Sequence, residues 1–163
     1  MQAKTKRAIA DTITFLFILL FVYAATSKLV DYQKFRVDIG KSPMLTAFAG
    51  TVAITVLVTE LAVAGLLAFS KTRLLGLYAS FTLMVMFSAY IVAITRFSEY
   101  IPCSCGGILQ HMNWNQHLVF NLCFVALGVI GVLFYAEAGL VRIKVRGFDK
   151  YVTREERSNL LKA

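Results

Sequence analysis

Four apolar stretches, about Ala8 to Ser27, Leu45 to Ser70, Leu74 to Thr95 and Asn115 to Ala136, dominate this chain. Each has the roughly 20 residues that a helix needs to cross a bilayer. Lipid offers no partner for a backbone amide, so a spanning segment has to satisfy its own hydrogen bonds, and these stretches are expected to be helices. The run Thr51-Val52-Ala53-Ile54-Thr55-Val56 has the β-branched character of a strand, but it lies within a membrane-length apolar segment and is assigned to a helix as well. Charged residues make up 16% of the chain, against about 25% in a typical soluble domain. Mean hydropathy is +0.70. The fold class is therefore an all-α membrane protein, a four-transmembrane-helix bundle. With two prolines and no low-complexity tract, residues 1–137 are expected to form one membrane domain, and residues 138–163 a basic juxtamembrane tail.

Orientation follows from Lys and Arg, which accumulate in cytoplasmic segments. If the amino terminus is inside, the inner segments hold Lys4, Lys6, Arg7, Lys71, Arg73, Arg142, Lys144, Arg146, Lys150, Arg154, Arg157 and Lys162. The outer ones hold Lys28, Lys34, Arg36, Lys41 and Arg96, so the 17 basic residues divide 12 to 5. Both termini are expected to be cytoplasmic, with the loop before the fourth helix outside. The first stretch has a competing reading as a secretory signal, with Lys4, Lys6 and Arg7 before an apolar core and Val22-Tyr23-Ala24 as a cleavage site; an uncleaved span is expected instead.

The formal charge is +8, and seven basic residues follow Val141, directly after the last span. A basic segment in that position interacts with anionic lipid headgroups at about 1 kcal/mol per residue. The partner it implies is membrane lipid, not nucleic acid.

The outer loop carries Pro102-Cys103-Ser104-Cys105-Gly106-Gly107. Exposed cysteines stay reduced in cytosol and tend to pair outside it. Gly106 and Gly107 permit a tight turn that leaves the sulfurs open. A disulfide across one residue closes a very small ring, and strain of that kind favours exchange over a structural role. Cys103 and Cys105 are therefore candidate redox thiols, with a structural disulfide as the alternative. A third reading is a metal site of Cys103, Cys105, His111 and His117, a ligand set that zinc accepts, with Met112 adding a soft donor suited to Cu(I).

Trp114, His117 and Asn121 follow at i, i+3 and i+7, on one helical stripe. An imidazolium near a thiol raises its thiolate fraction, and a neutral imidazole can pass a proton to a reduced quinone. Trp114 also suits a headgroup-level anchor.

Glu60 lies well inside the second span, where an ionisable group is costly and normally faces partners within the bundle. Lys28, or hydroxyls such as Thr55, Ser88 and Tyr90, are its candidate partners. Glu60, Tyr90 and Trp114 are the residues expected to face a substrate or quinone. Cys123 reads as a small buried filler and as a poor resolving thiol, since it points about 240° away from His117. Tyr23, Tyr32, Tyr90 and Tyr100 suit an interfacial belt or the wall of a quinone cleft. The stretch with Asp31, Lys34, Arg36 and Asp38 reads as an amphipathic, solvated surface segment.

Together, Ala25-Thr26-Ser27-Lys28-Leu29-Val30-Asp31, Glu60-Leu61, Pro102-Cys103-Ser104-Cys105-Gly106-Gly107 and the set Trp114, His117, Phe120 and Asn121 resemble the DoxX/MauE superfamily, and within it the redox-associated MauE-like proteins of bacteria. The resemblance covers about residues 8–136. It implies a four-helix bundle in the bacterial inner membrane that takes part in periplasmic electron transfer or disulfide chemistry. Quinone-linked disulfide oxidases with four helices use two cysteine pairs, and this chain has one pair and a remote third cysteine.

The resulting expectation is thiol–disulfide exchange or electron transfer through Cys103 and Cys105, with His117 tuning the thiolate and Asn121 holding the imidazole. The partner class is a periplasmic thioredoxin-like or disulfide-containing protein. The alternatives are a non-catalytic accessory subunit of a larger membrane complex and an outward-facing Cys/His metal site.

Overall fold

A computed structural model describes residues 3–41, 46–97 and 113–160. Those residues are helical almost throughout: α1 is Ala3–Val30, α2 Tyr32–Gly40, α3 Ala49–Ala68, α4 Arg73–Phe97 and α5 Trp114–Leu160, with a 3-10 turn at Thr46–Phe48 before α3. The segments Lys4–Val30, Thr46–Ala68, Arg73–Arg96 and Trp114–Glu137 are long and apolar enough to cross a membrane. The four expected spans are present within a few residues of their sequence limits, and the β-branched run lies inside α3. Beyond Glu137, α5 continues unbroken to Leu160.

The four long helices close into a ring. α1 packs against α3 and α5, and α4 packs against the same two neighbours. Each helix turns one stripe inward at alternating spacings of three and four residues. In α1 the buried positions include Ala10, Ile13, Phe17, Phe21, Ala24 and Lys28; in α3 they are Ala53, Leu57, Glu60, Val63, Ala64 and Leu67. Leu77, Ser80, Met84, Ser88, Ile91 and Ile94 continue the pattern in α4. That spacing keeps side chains on one face of a helix. At the centre, Phe17 stacks on Phe21 at 6.0 Å and takes the edge of Phe124 at 5.4 Å.

One end of the bundle is a tight junction. Phe69 is extended (ψ 126°) and ends α3. The Thr72 hydroxyl donates to the Leu66 carbonyl at 2.8 Å, and Gly76 N–H donates to the Thr72 carbonyl at 2.8 Å. A Cβ on Gly76 would lie 2.9 Å from the Leu67 backbone nitrogen, so only glycine lets α4 approach α3 this closely. Arg73 reaches across to Asp11 at 2.8 Å, Lys6 pairs with Glu137, and the Tyr135 hydroxyl donates to the Ser70 carbonyl at 3.2 Å. These contacts tie α1, α4 and α5 together at the end opposite the site.

Two expectations need correction. The stretch around Asp31 and Asp38 does form a helix, α2, but it is not simply a solvated surface segment. α2 folds back onto α3, with the Gly40 side of the helix close to Ala49. Asp38 is consequently buried and pairs with Lys41 at 2.8 Å, while Asp31 stays exposed. Cys123 was expected to be buried and is instead exposed on the outside of α5. The inward stripe of α5 runs through His117, Asn121, Gly128 and Gly131, and Cys123, two residues from Asn121, falls on the far side of the helix.

Candidate functional site

Glu60 is the twelfth residue of α3, about 16 Å along the helix from Ala49 by ordinary helical rise. A carboxylate at that depth is expensive to strip of water unless a counter-charge and hydrogen bonds replace the lost hydration. Lys28, near the end of α1, supplies the counter-charge. Its Nζ lies 2.6 Å from Glu60 Oε1, and the two side chains are 8% and 1% exposed. The ammonium also stands over the Phe35 ring of α2, 5.6 Å from its centroid, within the range of a cation–π contact. The other carboxylate oxygen, Glu60 Oε2, is buried and meets no donor among the described residues.

Two of the hydroxyls considered as partners of Glu60 are engaged within their own helices. Thr55 donates to the Thr51 carbonyl at 2.8 Å and Ser88 to the Met84 carbonyl at 2.8 Å. Such i to i−4 bonds satisfy a hydroxyl locally where no water is present.

His117 and Asn121 come from α5, and their position is set by the way that helix begins. Asn113 sits immediately before it. The Gln116 side-chain carbonyl accepts the Asn113 backbone N–H at 3.0 Å, and His117 N–H donates to the Asn113 carbonyl at 2.9 Å. A residue three places into a helix that reaches back to the capping residue is one half of a capping box, and it fixes where the helix starts. His117 is thereby placed one turn into the bundle and Asn121 two turns in, and both are buried. The Trp114 ring lies against His117, with centroids 6.2 Å apart and planes tilted by 52°.

These groups share a cavity of about 380 Å³. Lys28, Phe21 and Ala24 of α1, Phe35 and Ile39 of α2, Glu60, Thr59 and Thr55 of α3, Tyr90, Phe87 and Met84 of α4, and His117, Phe120 and Asn121 of α5 line it. Of the sequence candidates, Glu60, Tyr90, His117 and Asn121 meet here, while Trp114 stands beside His117 as its neighbour. Tyr90 belongs to the cavity wall, whereas Tyr23 is exposed on the outside of α1. Lys28 and Phe35 join the site. Lys28 was legible as a counter-ion for Glu60; Phe35 was not, because nothing in the local pattern shows that α2 folds over the cavity.

Cys103, Cys105 and His111 lie outside the described residues, as do Met112 and Tyr100. The metal reading therefore draws three of its four ligands from outside them. Cys103 and Cys105 belong to the connection between Phe97, the last residue of α4, and Asn113 at the head of α5. Both ends of that connection are fixed at the end of the bundle that carries His117.

A multi-pass helical membrane protein with an ion pair and an imidazole inside one cavity is the class that the fold and site define. The family model described as methylamine utilisation protein MauE matches residues 6–134. The chain belongs to the MauE family, which agrees with the MauE-like resemblance read from Lys28, Glu60, the cysteine block and His117. No curated protein and no solved structure matches the chain.

Proposed function

We propose that this protein exchanges thiols and disulfides at the extracytoplasmic face of a bacterial inner membrane, with Cys103 and Cys105 as the reacting pair. The carrying observation is the attachment of the cysteine-bearing connection, at both ends, to the bundle end that holds His117 and Asn121. In this reading both termini and the basic segment 138–163 lie on the cytoplasmic side, as the distribution of Lys and Arg supports.

The chemistry needs a thiolate, because the thiol itself is a poor nucleophile. One of the two cysteines loses its proton, with His117 as the acceptor and Asn121 orienting the ring. The thiolate attacks a disulfide sulfur of the partner. One S–S bond breaks, a mixed disulfide forms, and the displaced partner sulfur takes up a proton. The second cysteine, also as a thiolate, then attacks the mixed disulfide and expels the other partner sulfur. The partner leaves as a dithiol and Cys103–Cys105 becomes a disulfide; the same steps in reverse oxidise the partner. The partner class is a periplasmic thioredoxin-like or disulfide-rich protein.

The test is covalent trapping. With Cys105→Ser, and separately with Cys103→Ser, the remaining thiol has no resolving neighbour, so one of the two variants accumulates a reductant-sensitive adduct. No adduct from either variant, together with full complementation by the double serine variant, would remove the reading. That outcome favours the second reading, an accessory subunit of a larger membrane assembly, for which the family's description as a methylamine utilisation protein speaks.

A further inference from the structure

We infer that the cavity between the helices binds the aromatic head of a lipid-soluble hydroquinone, with Glu60 Oε2 accepting one of its hydroxyl protons in a hydrogen bond. The starting point is the orphaned oxygen. Glu60 is 1% exposed, lines the cavity, and has one oxygen held by Lys28 and the other without a donor among the described residues. A buried charged acceptor left unpaired is costly, so this position selects a ligand that brings a donor.

The surroundings narrow the class. A carboxylate or phosphate ligand would meet the Glu60 charge, and an ammonium would be forced against Lys28. A plain hydrocarbon would leave Oε2 unpaired. A neutral hydroxyl satisfies the oxygen without adding charge. Phe21, Phe87, Phe120 and Tyr90 supply flat apolar walls, and Met84 adds a sulfur of the kind that packs well on an aromatic ring. Asn121 and His117 of α5 also line the cavity, so hydrogen-bonding groups other than Glu60 stand beside its apolar walls. A ring with two hydroxyls offers a second group that His117 or Asn121 can meet once Glu60 has taken the first. The volume of about 380 Å³ falls within the usual range for small-molecule sites.

Binding stands on the cavity alone; what the ring does there rests on the thiol-exchange reading. When the exchange runs in the direction that oxidises the partner, Cys103 and Cys105 are left as thiols, and reclosing their disulfide releases two electrons and two protons. A quinone that takes up both of each becomes the hydroquinone.

The experiment uses the full chain in phosphatidylcholine nanodiscs under anaerobic conditions. The probes are a short-tailed 1,4-hydroquinone and its 1,4-dimethyl ether, each also measured against nanodiscs without protein. Trp114, the chain's single tryptophan, packs against His117 and reports binding by its fluorescence. The hydroquinone should bind saturably and at least about tenfold more tightly than the ether, since only the former donates to a charged acceptor. The uncharged pair Lys28→Met with Glu60→Leu should reduce hydroquinone binding to the level of the ether, and Ala24→Phe should block it by filling the cavity. Equal affinity of the two probes for the unaltered protein overturns the inference, and it does so without depending on any variant that fails to fold. A trapped thiol adduct together with equal probe affinities would remove the hydroquinone site and leave the exchange reading standing. Selective hydroquinone binding without an adduct would do the reverse.

Discussion

Lys28 Nζ and Glu60 Oε1 lie 2.6 Å apart in a strongly buried charge pair, joining the end of α1 to the middle of α3. By comparison, the Arg73–Asp11 pair at the other end of the bundle is 22% and 43% exposed. Removing one member of a buried pair strands the other charge, and the cost is typically about 3 kcal/mol or more. Lys28→Ala and Glu60→Ala should each destabilise the protein by that amount in denaturant unfolding in micelles. Replacing the pair together, Lys28→Met with Glu60→Leu, should recover most of the loss, because no charge remains stranded. Arg73→Ala should cost less than about 1 kcal/mol, as exposed pairs do.

The junction between α3 and α4 makes a second, sharper comparison possible. An added Cβ at Gly76 would lie 2.9 Å from the Leu67 nitrogen, while at Gly65 nothing lies within 4 Å. Gly76→Ala should lower stability by about 1–3 kcal/mol, as overpacking does. Gly65→Ala should raise it by about 0.5–1 kcal/mol through helix propensity. Thermal unfolding of both variants in one detergent checks the sign of each.

Gln116→Ala removes the side chain that reaches back to the Asn113 N–H. The expected loss is about 1 kcal/mol, typical of a helix cap. Because His117 is the next residue, the first turn of α5 should also loosen around it. Amide exchange at positions 114–118 should rise while exchange in α1 and α3 stays unchanged.

Cys123 faces outward from α5 in the middle of a span, where a reagent that does not enter the bilayer cannot reach it. In intact cells treated with reductant, a membrane-impermeant maleimide should label Cys103 and Cys105 and leave Cys123 unmodified. Cys123→Ser should leave adduct trapping unaltered. Labelling of the pair only after the bilayer is broken would contradict the proposed orientation.

The spans were legible because length and the absence of charge suffice to define a membrane helix. The inward face of each span was harder to read. Lipid is as apolar as the bundle core, so Phe15 and Leu19, which are exposed, look in sequence like Phe17 and Phe21, which are buried. Several polar residues mark the interior instead, since Thr14, Lys28, Glu60, Ser80, Ser88, His117 and Asn121 are buried, although threonines such as Thr12, Thr26 and Thr82 stay exposed. That signal identified Glu60 and the His117–Asn121 stripe. The burial of Asp38 was not legible, since it depends on a short helix doubling back onto α3, which no local pattern specifies. The Asn113-x-x-Gln116 cap was present in the sequence, and its offset of three residues was the available clue.

The unbroken course of α5 has a geometric consequence. Its 47 residues amount to about 70 Å of continuous helix, with the imidazole near one tip and residues 138–160 at the other. The helix is unbroken over that length, so a twist or axial shift of the distal portion is passed along the same helix that carries His117. Anything that grips the far end of this rod acts on the cavity as on the opposite end of an axle.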